Sequence, residues 1–219
     1  MGGEESKLAG KDHWEQTYLM EHANFVDHGD IGQVWYGSDV QRKVVDYIME
    51  RYVEENLDRP SLSFLDVGTG NGALLFKLAK RGIYNEVANV TLKGMDYSPE
   101  SVTFSVQVRD TYSAKEDISE GLRSDFAKIL FEVQDAFELM EQGQYDIVND
   151  KGAFDVVFLN HELNNNEYVR AMHHRMNQDN PNAIFIITSC NCTSAELEII
   201  FGAEGLFEKV CEIGGINKF

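Results

Sequence analysis

Three glycines on alternate positions at the end of an apolar run constrain this chain more than any other feature. In Phe64-Leu65-Asp66-Val67-Gly68-Thr69-Gly70-Asn71-Gly72 the residues Leu62, Phe64, Leu65 and Val67 read as a buried strand. The following Ala73-Leu74-Leu75-Phe76-Lys77-Leu78-Ala79-Lys80 reads as a helix, so the glycines form a tight strand-to-helix turn. Glycine is needed where the backbone takes unusual dihedrals and lets a ligand approach, with the amides of the helix start facing it. The turn is expected to cradle a nucleotide-like cofactor.

Which cofactor is a question of charge. Read as Gly68-x-Gly70-x-x-Ala73 the turn fits a dinucleotide fingerprint; read as Asp66-x-Gly68-x-Gly70-x-Gly72 it resembles the first motif of S-adenosylmethionine-dependent methyltransferases. A carboxylate two residues before the first glycine suits the ammonium of a methionine moiety and would repel a pyrophosphate. Asp66 therefore tilts the reading towards the methyl donor.

Around this turn the chain alternates strands and helices. Six large side chains precede the first strand: Trp14, Tyr18, Phe25, Val34, Trp35 and Tyr36. Tyr36 is expected to pack that segment onto the sheet, and Trp14 and Trp35 to line a pocket where aromatic faces attract a sulfonium or ammonium. Residues 40–52 carry a helical apolar stripe ending near Asn56. A second strand over 90–95 runs into Asp96-Tyr97-Ser98-Pro99, with Ser98 capping the next helix and Pro99 in its first turn. Asp96, at the carboxyl end of a neighbouring parallel strand, is placed to take both ribose hydroxyls. Residues 101–125 read as a helix and a charged connection. A third strand over 128–134 delivers Asp135-Ala136-Phe137 to the same edge. For the fourth strand the run 145–149 is preferred to 154–159, which puts Asp150 at a strand end. A polar-faced helix follows over 164–176, a fifth strand over 183–188, a helix over 195–201 capped by Thr193 or Ser194, and a sixth strand over 207–213. The expected fold is a doubly wound parallel α/β sheet in a single domain, with ligands at its carboxyl edge. Residues 1–11 are expected to be disordered, 12–60 to form an aromatic and helical cap, and 61–219 the Rossmann-like core.

Composition narrows the partners. Acidic residues exceed basic ones by 37 − 19 = 18, a formal charge of −18 that repels phosphate backbones and anionic lipid heads and favours basic protein surfaces. Nucleic acid and membrane are therefore not expected partners. Cys190, Cys192 and Cys211 form no C-x-x-C pair, and His173-His174 lack a partner at ligand spacing, so neither disulfides nor a metal are expected. No apolar run reaches the roughly 18 residues that span a bilayer, which points to a soluble, cytoplasmic chain.

Taken together, Asp66-Val67-Gly68-Thr69-Gly70-Asn71-Gly72, Gly94-Met95-Asp96-Tyr97-Ser98-Pro99, Asp150-Lys151-Gly152-Ala153-Phe154-Asp155 and Ile187-Thr188-Ser189-Cys190-Asn191 resemble the seven-β-strand methyltransferases that modify a lysine of translation elongation factor 1-alpha. The leading His13-Trp14, Tyr18, His28-Gly29-Asp30 and Val34-Trp35-Tyr36-Gly37 resemble the same group. The resemblance implies an S-adenosylmethionine site with Asp66, Gly68 and Gly70 around the methionine part, Asp96 on the ribose, Tyr97, Asp135 and Ala136 at the adenine, and Asp150 as the catalytic residue near the methyl group. Trp14, Tyr18 and Trp35 would close the pocket and shape the lysine channel. It further implies a monomer acting on elongation factor 1-alpha. Two departures stand out: Ala153 replaces the family's Thr or Ser, and the chain stops at Phe219, where the turn into a seventh strand would begin, so that strand is expected to be missing.

The expected reaction is in-line transfer of the donor's methyl to a lysine ε-amine, with Asp150 and the carbonyls after it orienting the amine. A nicotinamide-dependent oxidoreductase would share the turn and Asp96, but Asp66 and Asp135 oppose it and no hydride-acceptor site is found. A methyltransferase-like binding protein without catalysis is the alternative from another class.

Overall fold

The computed structural model describes Leu8 and residues 10–55, 60–138 and 145–214. Asn56 and most of the expected disordered N-terminus therefore lie outside the described residues. Lys11 opens an 18-residue helix, α1 (Lys11–His28), which ends at Gly29 in the left-handed region with its amide donating to Phe25 O. Its buried residues are Trp14, Tyr18 and Phe25, while Leu19, Met20 and Val26 face outward. The segment that follows reaches α2 (Gly37–Tyr47), which runs on through a π-helical turn, Ile48–Val53. This accounts for the apolar stripe expected over 40–52.

The core then unfolds in βα order: β1 (Ser61–Val67), α3 (Ala73–Lys80), a short α4 (Ile83–Glu86), β2 (Asn89–Asp96), α5 (Pro99–Ser113), α6 (Glu120–Ala127), β3 (Leu130–Val133), β4 (Ile147–Lys151), α7 (Ala153–Leu159), α8 (Asn165–Arg175), β5 (Ile184–Thr188) and α9 (Ser194–Gly202). Ser98 Oγ caps α5 by accepting from Ser101 N, with Pro99 in the first turn. Thr193 and Glu196 close a reciprocal capping box on α9. The run 154–159 is helical, as the choice of the earlier strand required; its Phe154 and Val157 are buried one turn apart. Helix α6 was hidden within the stretch expected as a charged connection; Ser119 caps it, and Phe126 anchors it in the core.

The five strands are parallel in the order β3-β2-β1-β4-β5. Order reverses between β1 and β4, which opens a crevice at their carboxyl ends. Strand period two divides the core. Leu62, Phe64, Leu92, Ile147 and Ile186 face α1, α2, α3 and α5, whereas Leu65, Val67, Met95 and Val148 face α7, α8 and α9.

The expected sixth strand does not form. Residues 207–213 run without a ladder: Phe207 packs on Phe185, Phe201 and His173, Val210 is 81% exposed, and Lys209 pairs with Glu198 and Glu212. A strand needs a neighbour to satisfy its amides, and this segment is held by side chains instead. Beside it, along the outer edge of β5, lies an open groove of about 1560 Å³ lined in part by Val44, Ile186, Leu197 and Phe201. No described helix is long and apolar enough to cross a membrane.

Candidate active site

The β1 turn and the end of β2 are built as one unit. Gly70 has φ +58°, and a Cβ there would lie 2.8 Å from the Tyr18 hydroxyl of α1. Its amide donates to Asp96 Oδ2 at 3.0 Å, and its carbonyl accepts from Ser101 and Ser105 Oγ at 2.8 and 2.6 Å. Asp96 is buried and takes the Ser98 amide on its other oxygen at 3.1 Å, with the Ser101 side chain as a further donor beside it. Burial raises the Asp96 pKa against the pull of the Ser98 and Gly70 amides. Gly68, at φ +62°, faces Ala153, whose Cβ would be 2.8 Å from an added one.

Asp66 is buried one strand away. Its Oδ1 accepts from Asn149 Nδ2 at 2.7 Å and its Oδ2 from Thr69 Oγ1 at 2.9 Å. Burial raises its pKa, opposed by Asn149, the Lys151 charge and Thr69. Asn149 is fully buried, and its Oδ1 has no partner among the described residues.

Towards β3, Asp135 accepts the Phe137 amide at 3.0 Å and Lys11 Nζ at 3.1 Å; these donors outweigh burial and lower its pKa. Tyr97 donates to Lys11 O at 3.1 Å, and Lys11 Nζ stands 5.1 Å from the Tyr97 ring centroid. The first turn of α1 thus closes over Tyr97 and Asp135, with Ala136 half-buried behind them. Arg175, fully buried at the end of α8, donates to the carbonyls of Asp135 and Glu138 and fixes this loop. Trp14 completes the cover, its indole donating to Leu8 O at 2.9 Å and its ring 4.7 Å from that of Trp35.

Asp150 is placed differently from its neighbours. Asp66, Asn149, Lys151 and Asp96 share one face of the sheet, and period two turns Asp150 to the other. There its carboxylate accepts from the Ala153 and Phe154 amides and from the Tyr168 hydroxyl at 2.6 Å, fully buried. Burial pushes its pKa up to about 7 despite those donors. It caps α7 and fixes the Asp150–Gly152 turn.

Lys151 instead reaches the site face. Its Nζ donates to Trp35 O at 3.2 Å and lies 5.8 Å from the Tyr36 ring centroid. Burial lowers its pKa against the Asp66 and Asp150 charges. These contacts gather Trp14, Tyr18, Trp35, Asp66, Gly68, Gly70, Asp96, Tyr97, Asp135 and Ala136 at the carboxyl edge of the sheet and add Lys11, Asn149, Lys151 and Arg175. Strand alternation from Asp66 and its β4 partner could have found Asn149 and Lys151; nothing local marks Lys11 or Arg175. The groove beside β5 is lined by neither Asp66 nor Asp96, but it reaches Tyr36, Ser189 and Cys190. Among the described residues no cluster of three or more His, Cys, Asp or Glu could hold a metal ion.

S-adenosylmethionine fits these residues. The unpartnered, buried Asn149 Oδ1, beside the Asp66 carboxylate, is an acceptor suited to an ammonium.

Comparison with known proteins agrees. The family model described as a methyltransferase domain matches residues 58–213. The EEF1A lysine methyltransferase 2 of Danio rerio is 32% identical over 200 residues, covering 90% of this chain and 75% of that protein. The protein-lysine N-methyltransferase efm4 of Schizosaccharomyces pombe is 33% identical over 212 residues, covering 92% and 83%. The human EEF1A lysine methyltransferase 2 is 31% identical over 196 residues, covering 88% and 72%. With a crevice of this build and relatives of this kind, the chain belongs to the methyltransferase-domain family, in the group that contains the EEF1A lysine methyltransferase 2 and efm4 proteins.

Proposed function

We propose that this protein transfers a methyl group from S-adenosylmethionine to the ε-amine of a lysine in translation elongation factor 1-alpha. The observation that carries the reading is the buried Asp96 carboxylate, anchored by the Gly70 and Ser98 amides beside the glycine turn at the end of β2. The names of the relatives support the protein substrate.

When bound, S-adenosylmethionine supplies an electrophilic methyl on a sulfonium. The chain's own residues bind and orient. Asp96 takes the ribose hydroxyls, Asp66 and Asn149 the methionine ammonium, and Tyr97, Asp135 and Ala136 border the adenine. Trp14, Tyr18 and Trp35 exclude water from above. The acceptor amine must be neutral to attack, although a free lysine has a pKa of about 10.4. Burial lowers the pKa of Lys151 at that end of the crevice, and the same desolvation would help an incoming lysine shed its proton. Asp150 acts as a positioning residue: by capping α7 it sets the carbonyls of Lys151 and Gly152 that orient the amine. Alignment of this kind can supply up to ~7–11 kcal/mol of the barrier reduction, so no dedicated base is required.

The net charge of −18 suits a basic protein face better than nucleic acid or an anionic membrane. The same reading has the chain act as a monomer in the cytoplasm, without a metal.

The test is incubation of the purified chain with S-adenosylmethionine and elongation factor 1-alpha, read by intact mass and peptide mapping. A gain of 14 Da or its multiples on one lysine is expected. Donor binding in calorimetry without any methylated lysine would overturn the catalytic reading.

A further inference from the structure

Tyr36 has φ 66°, the one positive value on a non-glycine residue among those described, and it sits at the start of α2 without a side-chain capping bond. L side chains rarely adopt that conformation, and it persists only where surrounding contacts over-determine it. Those contacts are specific. The Tyr36 hydroxyl donates to the Asp155 carboxylate of α7. Its ring packs on Gly152, where an added Cβ would lie 2.8 Å from Cε2. The preceding carbonyl, Trp35 O, accepts from Lys151 Nζ at 3.2 Å.

Asp155 is 6% exposed and gathers more than this one donor. Ser189 Oγ donates to it, the Cys190 amide donates at 3.1 Å, and Cys190 Sγ lies at 3.4 Å. One carboxylate therefore joins three segments distant in sequence: the strap 34–37, the start of α7 and the turn after β5. With the donor's ribose and methionine ends assigned to β2 and β1, this junction borders the remaining end of the crevice. Trp35, held by the same strap, continues the aromatic cover through its edge contact with Trp14.

We propose that Asp155, acting through Tyr36, is a positioning residue for the acceptor lysine: it pins the Trp35–Tyr36 strap as one wall of the entry, without touching the donor. This rests on the methyltransferase reading above for the identity of the acceptor. The pinning itself is a property of the chain alone.

Tyr36→Phe and Asp155→Asn, singly and together, test it by two independent measurements. Hydrogen exchange of the unliganded proteins should show faster exchange over 33–37 in both variants, with 68–72 unchanged. Unchanged exchange over 33–37 in a folded Tyr36→Phe protein would refute the pinning whatever the activity. In methyl transfer to elongation factor 1-alpha, the KM for that protein should rise about tenfold or more, as expected for one lost hydrogen bond to a charged group. The Kd for S-adenosylmethionine should stay within about twofold, because positioning of the acceptor leaves uniform donor binding untouched. The two effects should be less than additive in the double variant, since both changes act on the same bond, the introduced asparagine keeping an acceptor oxygen without the charge. An unaltered acceptor KM, or donor affinity lost in step with it, would overturn the assignment. A wild-type chain that methylates nothing would sink the methyltransferase reading, while the exchange result would still decide the pinning.

Discussion

The two ends of the crevice are built by different means. At the ribose part of the donor end the link runs through backbone: Gly70 and Asp96 are 26 residues apart and joined by a main-chain amide. At the acceptor end, Tyr36 and Asp155 are 119 residues apart and joined by side chains. A backbone cradle tolerates change around it because amides survive substitution. A side-chain junction fails when one member is removed, and it is where specificity within a shared fold can vary.

The most damaging way to break the donor end is Asp96→Ala. Donor affinity should fall about 100-fold or more, since a site built to accept hydroxyl protons loses its acceptor. Calorimetry against S-adenosylmethionine reads this, with circular dichroism checking the fold; a folded variant of unaltered affinity would remove Asp96 from the ribose. Next comes Gly70→Ala, which places a Cβ 2.8 Å from the Tyr18 hydroxyl at φ +58°. The strain should cost about 1–3 kcal/mol of stability. A melting temperature equal to that of the wild type would mean α1 is not seated on the turn.

Between the two ends, Asp150→Asn tests the cap. The native carboxyl, raised to about 7, holds its proton longer folded than unfolded, so its contribution is fully present below the ordinary carboxylate range and is lost as pH rises to about 7. The stability gap between wild type and variant should therefore shrink as pH rises through that window, by at most about 1.4 kcal/mol per unit. Denaturant melts at several pH values measure it, and a gap that widens with pH would reverse the assignment. The smallest effect belongs to Lys11→Ala. Its bridge to Asp135 is 63% exposed on the lysine side, so donor affinity should weaken by less than about 1 kcal/mol, and less again in high salt. A larger, salt-independent loss would make Lys11 part of the adenine pocket proper.

Much of the donor end was legible beforehand. The apolar run into alternate glycines, Ser98-Pro99 after Asp96 and Thr193 before α9 are local signals with local physical causes, and each appears where it was expected. The reading of 145–149 over 154–159 also held, because Gly152 at φ 104° ends β4 and opens α7. Residues 207–213 misled because an apolar and β-branched run describes a strand only if a neighbour supplies the ladder. Tyr36 was expected to pack its segment onto the sheet; its ring packs on Gly152 after β4, and its hydroxyl in addition serves the junction at Asp155.

Sequence by itself determined the alternation of the first five strands with helices, the glycine cradle, the acids at the ends of β1 and β2, and the family. All of these rest on periodicity, turn chemistry and short-range spacing, which a chain carries in one dimension. Only the tertiary structure decided that Asp150 faces the opposite side of the sheet from Asp66, that Asn149 and Lys151 face the crevice, and that Asp155 gathers Tyr36, Ser189 and Cys190. Those outcomes depend on which layer covers each sheet face and which buried donor finds which acceptor, and burial makes such pairing obligatory without its partners being written near one another.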